Sequence, residues 1–272
     1  MTASIDLAAY FARIGYDGPR EPSLQLLRDL HRLHPAAIAF ENLTPLTGEA
    51  VSLALPDLDA KLVRGGRGGY CYEQNGLFWA VLEALGFEAH GLAARVRWGM
   101  AEDVVRPRTH MALLVRLPEG QFLADVGFGG LVLTGPLDLS LEAPQETPHE
   151  RFRLAPAPEG LIDLQAELGA SDWRTLYRFD LVPHIRPDYE PLNWFSATHP
   201  SSPFPAHLMA ARAQPHRRLA LMDTRYTVRE QGKAAIERTL GSLDELGQVL
   251  AQDFGLTLPP GFERVGAKLG LP

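Results

Sequence analysis

The chain has 272 residues, enough for one large domain or two to three small ones with a sizeable core. Hydrophobic residues make up 46% and charged residues 22%, an ordinary globular composition. The formal net charge of −7, from 26 basic and 33 acidic residues, argues against a nucleic-acid partner held by general electrostatics. It leaves room for an anionic ligand bound locally by backbone amides. The first fifteen residues carry Asp6 and Arg13 without a long apolar run, so no secretory signal is visible. No stretch approaches the roughly 18–20 apolar residues of a membrane span. A soluble, cytoplasmic chain with no membrane partner is expected.

The first 85 or so residues read as helical. Residues 6–14 place Leu7, Tyr10, Phe11 and Ile14 at helical spacing, and Ser23 can cap a stretch carrying Leu24, Leu26, Leu27, Leu30 and Leu33. A third helix begins near Pro56-Asp57. A fourth runs from about Cys71 to Leu85 with Leu77, Phe78, Val81, Leu82 and Leu85 on one broad face, and Gly86 is a C-terminal stop. After Gly86 the period changes. Residues 88–98, 110–117 and 121–126 are short and rich in Val and Leu, with Pro118-Glu119-Gly120 as a hairpin turn between the last two. Further strands are expected at 149–155, 160–167 and 173–181, so about six short strands form a twisted antiparallel sheet or small barrel. Pro183, Pro187, Pro191, Pro200, Pro203 and Pro205 then read as an extended connection. The C-terminal part offers strands at Leu219–Met222 and Tyr226–Glu230 and a helix from Ser242 towards Gln252.

Cys71 is the single cysteine. It cannot form an intramolecular disulfide, so it is either inert packing or chemistry. It follows the glycine- and arginine-rich run RGGRGGY (64–70) and opens the fourth helix, whose first amides stabilise a thiolate. Arg64 and Arg67 are expected to act in the same direction.

A nucleophilic thiol needs a base and a group that orients the base. Of nine histidines, His31, His34, His149, His184, His199, His207 and His216 fall in loops or polar stretches and read as ordinary surface or satisfied residues. His90, in the first strand, is a weaker contender. His110 opens the strand HMALLV, where the sheet would hold its ring rigidly. Asp125 ends the adjacent strand in FLADVGFGG (122–130) among apolar neighbours, where a carboxylate is costly unless paired. In a hairpin turning at 118–120, the two fall nearly opposite one another. A turn aspartate before Gly127 is the competing reading for Asp125.

The segment RGGRGGYCYEQN (64–75), a His opening a strand, an Asp in DVGFG and the run Phe40-Glu41-Asn42-Leu43 together resemble the arylamine N-acetyltransferase family. The resemblance covers about residues 5–200. Ala39 departs from the proline usual at that position. The resemblance implies an α+β fold: an N-terminal helical bundle (1–86) carrying the nucleophile, a central antiparallel β-barrel (87–190) carrying His and Asp, and a linker with a C-terminal mixed α/β lid (191–272). Its first two parts would form a papain- or transglutaminase-like catalytic core.

Carried over residue by residue, the resemblance makes Cys71 the acetyl-accepting nucleophile, His110 the base and Asp125 the orienting carboxylate. Asn75, one turn after Cys71, matches a family position beside that triad. Gly127, Gly129 and Gly130 can let backbone approach a ligand closely, and in the family this stretch borders the acyl-CoA pocket. Phe204 resembles a pocket position in the third region. Phe128 would stack on an aromatic amine, and Thr109 would line the acyl site. Arg67 is expected to pair with Glu41 and hold the loop entering the catalytic helix.

The implied reaction is acetyl transfer from acetyl-CoA to arylamines or hydrazines through an acetyl-cysteine. A macrocycle-forming amide synthase and a cysteine hydrolase or transglutaminase-like enzyme are the alternatives. No metal site is expected, since one cysteine and scattered histidines supply no ligand spacing. The oligomeric state is not legible.

Overall fold

In the computed structural model, which describes residues 5–169 and 171–272, the first two helices start at side-chain caps that the sequence supplies. The Asp6 carboxylate accepts the Ala9 N–H (3.1 Å) at the start of α1 (Leu7–Ile14), and Ser23 Oγ accepts the Leu26 N–H (3.2 Å) at the start of α2 (Leu24–Ala37). A two-residue strand, β1 (Phe40–Glu41), is followed by the short helices α3 (Leu43–Leu46) and α4 (Leu55–Leu58). The latter runs into a π-helical turn over Asp59–Arg64, and α5 covers Cys71–Ala84. Gly86, at φ +88°, ends it. A single broad buried face is expected for α5, but every residue from Cys71 to Leu82 is buried. The helix lies between the other helices and the sheet, so it has no solvent side.

Eight antiparallel strands form the central sheet: β2 (Glu88–Val96), β3 (His110–Leu117), β4 (Gly120–Ala124), β5 (Leu137–Asp138), β6 (Gln145–Glu146), β7 (Arg151–Pro156), β8 (Ile162–Glu167) and β9 (Trp173–Phe179). Their spatial order is β5-β4-β3-β2-β9-β8-β7-β6, a nearly closed barrel. The continuous apolar run in β3 has a direct cause. Met111, Leu113 and Val115 pack into the core shared with α5, whereas Ala112 and Leu114 point into the barrel core with Leu123, Phe152 and Tyr177. Both faces of this strand are buried, so its sequence does not alternate.

The proline-rich segment is not an extended connection throughout. A helix, α6 (Tyr189–Thr198), interrupts it. Pro191 occupies the first turn of that helix, where a backbone N–H has no intrahelical acceptor to lose. Beyond it, β10 (Met209–Gln214), β11 (Arg217–Met222), β12 (Arg225–Glu230) and β13 (Ile236–Thr239) form a second antiparallel sheet. The chain finishes with α7 (Leu243–Gln252), capped by Ser242, and α8 (Glu263–Leu269). β1 joins the edge of this second sheet, with Phe40 paired to Ala211 and Glu41 to Ala210. Asn42 fastens the same junction. Its side-chain amide donates to the carbonyls of Phe204 (2.8 Å) and His207 (2.7 Å), and its oxygen accepts the Met209 N–H (2.7 Å).

Candidate active site

The glycine-rich loop is threaded between β1 and α5. The Glu41 N–H donates to the Gly69 carbonyl (3.1 Å), and Cβ atoms on Gly68 or Gly69 would collide with the Ala39 carbonyl or the Glu73 carboxylate. Glycine is required here so that backbone can pass backbone. Arg67 donates through Nε (3.0 Å) and Nη2 (2.7 Å) to Oε1 of the fully buried Glu41, whose other oxygen accepts the Leu43 N–H (2.6 Å). Burial disfavours the Glu41 carboxylate, but Lys61 and Arg67 outweigh it and hold its pKa below the ordinary value. Lys61 also bonds Glu73 (2.6 Å), which in turn accepts the Tyr70 N–H (3.1 Å) at the head of α5. Arg64 bonds Asp6 and Asp59, each at 2.7 Å, on the surface. The expectation that Arg64 and Arg67 act on the thiol is therefore corrected: both cations are engaged by carboxylates. The Thr109 carbonyl and the His110 ring are the groups that lie against the sulfur.

Cys71, the first residue of α5, is 3% exposed, and its thiol donates towards the Thr109 carbonyl, 3.7 Å away. The sulfur also lies against the His110 imidazole, within range to raise its pKa. His110 Nε2 bonds Asp125 Oδ2 at 2.7 Å, which leaves Nδ1 as the ring nitrogen available to the thiol. Burial opposes the imidazolium, but the Asp125 carboxylate and the Cys71 sulfur overcome it and raise the His110 pKa to about 10. Burial likewise disfavours the Asp125 carboxylate, yet His110, Asn75 and the Gly127 amide lower its pKa.

The two residues are not opposite each other in a ladder. β3 and β4 pair Leu113 with Ala124, whereas His110 pairs with Ala94 of β2. Asp125 lies beyond the last pair of β4, and the turn after Ala124 carries it to His110. Asn75 shapes that turn: its amide donates to Asp125 Oδ1 (2.9 Å) and the Met111 carbonyl (2.7 Å), and its oxygen accepts the Val126 N–H (3.0 Å). The Gly127 N–H donates to Asp125 Oδ1 (2.9 Å).

A cavity of about 1110 Å3 reaches these groups. Its lining includes Cys71, Thr109, His110, Gly127, Phe128, Gly129, Gly130 and Phe204, together with Phe40 from β1. Phe128 stands edge-on to the His110 ring (centroids 5.2 Å, 87°), and Phe204 packs edge-on against Tyr70 (5.2 Å, 71°). Gly129 has φ +86°. Among the described residues no group of His, Cys, Asp and Glu could hold a metal ion. No helix among them is long and apolar enough to cross a membrane.

Three supporting residues escape sequence reasoning. Of the two alternatives expected for His31 and His34, surface or satisfied, the structure takes the second: both are fully buried and hydrogen-bonded. His31 Nε2 accepts the Asp125 N–H (2.9 Å); His34 contacts Tyr10 Oη (2.9 Å) and Gln74 Oε1 (2.7 Å). Their place on the Leu27, Leu30, His31, His34 stripe of α2 was a usable signal, because that spacing defines one helix face. Arg218 of β11 is 3% exposed, bonds Glu150 and donates to the carbonyls of Gly130 (3.4 Å) and Val132 (2.8 Å), anchoring the stretch after Gly127 to the second sheet. No local pattern marks it.

The architecture sets a thiol at a helix start against a histidine that opens one barrel strand and an aspartate just past the end of the next, an arrangement of the kind found in acyl-transferring enzymes. The N-acetyltransferase family profile matches residues 23–262. The chain is 40% identical to an arylamine N-acetyltransferase of Escherichia coli, over 91% of this chain and 87% of that protein. The protein belongs to the arylamine N-acetyltransferase family. The solved structure of the Mycobacterium marinum arylamine N-acetyltransferase superposes with a TM-score of 0.93 at 38% identity, covering 97% of this chain and 98% of that one. A structure of that enzyme in complex with CoA superposes at 0.91 and 37% identity, again over 97% and 98%.

Proposed function

We propose that the protein transfers the acetyl group of acetyl-CoA to the nitrogen of arylamines and arylhydrazines by a ping-pong reaction through an acetyl-Cys71 thioester. The single observation that carries this reading is that Cys71 and His110 meet on one cavity, with the buried Asp125 bonded to the far side of the His110 ring, in a chain of this family. The cavity slightly exceeds the roughly 300–1,000 Å3 of ordinary small-molecule sites, which suits a pantetheine arm and an aromatic acceptor used in turn.

In the first half-reaction the Cys71 thiolate, paired with the His110 imidazolium, attacks the thioester carbonyl. The carbon–sulfur bond to CoA breaks, and His110 gives its proton to the departing sulfur. The amide N–H of Cys71, at the positive end of α5, stabilises the oxyanion. In the second half-reaction the acceptor nitrogen attacks acetyl-Cys71. Neutral His110 takes the nitrogen's proton, and the thiolate–imidazolium pair is restored as the amide leaves. Asp125 holds the ring and balances its charge, and Asn75 positions Asp125. An aromatic amine suits the second step because it is largely neutral, and so nucleophilic, at pH 7.

In this reading Gly127, Gly129, Gly130 and Phe204 border the acyl-CoA, Thr109 and Phe128 line the acyl and amine positions, and Arg67 supports the loop before Cys71. Residues 1–86 supply the nucleophile, 87–190 the His and Asp, and 191–272 the lid. A cytoplasmic location fits a lone thiol that must stay reduced. The relatives, being N-acetyltransferases, do not favour a hydrolase or an amide synthase. Initial rates with acetyl-CoA and an arylamine varied together test the reading. Parallel double-reciprocal lines are expected; intersecting lines would remove the covalent intermediate.

A further inference from the structure

His31 takes no part in the chemical steps, yet it touches the site from outside the cavity. The backbone N–H of Asp125 lies just past the last β4 pair, Leu113 with Ala124, so the ladder offers it no acceptor. It donates instead to Nε2 of His31, 2.9 Å away on α2. A ring nitrogen that accepts carries no proton, which assigns His31 the neutral form with hydrogen on Nδ1. The side chain is fully buried, its Nδ1 has no hydrogen-bond partner among the described residues, and the ring stands edge-on to Phe78 of α5 (centroids 5.9 Å, 87°). Burial pushes its pKa down to about 4.

Asn75 and Gly127 hold the Asp125 carboxylate and the Val126 peptide, but among the described residues the N–H of Asp125 itself is held by His31 alone. That N–H is two bonds from the side chain, so a rotation of this peptide moves Oδ2 off His110.

We propose that His31 is a positioning residue: as a neutral acceptor it locks the Asp125 peptide so that the carboxylate stays aligned on His110. The inference rests on the Cys71–His110–Asp125 reading above and deepens it. A buried N–H left without an acceptor seeks one by moving, and here the movement would loosen the His110–Asp125 bond.

Two variants of nearly equal volume separate hydrogen bonding from packing. His31→Gln keeps an acceptor at about the Nε2 position, whereas His31→Met removes it. Three readouts are compared with wild type: single-turnover acetylation of Cys71, KM for acetyl-CoA, and alkylation of Cys71 by iodoacetamide, which needs no CoA. Acetylation and alkylation are expected to slow about tenfold or more in His31→Met with KM unchanged, and to stay within about threefold in His31→Gln. The low-field proton resonance of the His110–Asp125 bond should broaden or vanish in His31→Met alone. Equal rates in all three proteins, or equal impairment of both variants, would overturn the proposal. Should wild type alkylate normally but not acetylate, the acetyl-transfer reading fails, while the alkylation comparison still decides the role of His31. If neither variant folds, selective 15N labelling of histidine in the wild type decides. A protonated His31 Nε2 at neutral pH overturns the assignment, and an unprotonated one supports it.

Discussion

Gly127 stands so close to Cys71 that a Cβ on it would lie 2.9 Å from the Cys71 Cα and 3.1 Å from its carbonyl oxygen. The same atom would come within 2.8 Å of Asn75 Nδ2, in the group that orients Asp125. The glycine thus lets the barrel turn touch the head of α5. Gly127→Ala must push the two apart, at about 1–3 kcal/mol of overpacking. Iodoacetamide labelling of Cys71 is expected to slow by an order of magnitude or more, with a lowered melting temperature. An alanine variant with wild-type labelling would show that the contact is not needed.

Asp125→Asn keeps the shape of the site but removes the negative charge facing His110. The His110 pKa, raised to about 10 against its own burial, is expected to fall, since burial would then be opposed only by the Cys71 sulfur. Turnover should drop on the order of 10^3–10^4-fold with the fold retained, as for amide replacements in comparable triads. NMR titration of the His110 ring together with steady-state kinetics checks both halves. An unshifted ring would remove Asp125 from its role.

Arg67→Ala leaves the buried Glu41 carboxylate with Lys61 as its remaining cation. Breaking a buried pair from one side costs about 3–5 kcal/mol, enough to unfold or aggregate a domain of ordinary stability. The melting temperature reads this directly; an unchanged value would mean that the loop before Cys71 does not depend on the pair.

Stability should fall in mild acid because of two histidines. Burial lowers the pKa of His31 to about 4 and that of His34 to about 3. Both are neutral when folded and take up protons near 6.5 when unfolded, so their stabilisation is lost as pH falls below about 6.5. His110 works in the opposite sense. Its raised pKa makes its contribution complete below about 6.5 and lost as pH rises through about 10. The net expectation between pH 7 and pH 5 is a loss of about 2–4 kcal/mol in urea unfolding. A flat profile over that interval would contradict the burial assigned to these rings.

Much of the site was readable because its signals are local. A cap at Ser23, a thiol after a glycine run and a histidine opening an apolar strand are each written within a few residues. What sequence missed depends on contacts distant in the chain. Asn42 bonds Phe204, His207 and Met209 across more than 160 positions, and Arg218 reaches Val132 across 86. Pro191 suggests extended chain until its place in the first turn of α6 is known. His110 and Asp125 are brought together by a turn beyond β4, where strand pairing alone puts them in nearly the right place for the wrong reason.

The central claim is that Cys71 carries the acetyl group. Intact-mass measurement after mixing the protein with acetyl-CoA, without acceptor, tests it most directly. One added acetyl group is predicted, located on the peptide containing Cys71, absent in Cys71→Ala and lost on addition of an arylamine. An unmodified mass at Cys71 alongside continuing turnover, or acetylation at another side chain that persists in Cys71→Ala, would contradict it.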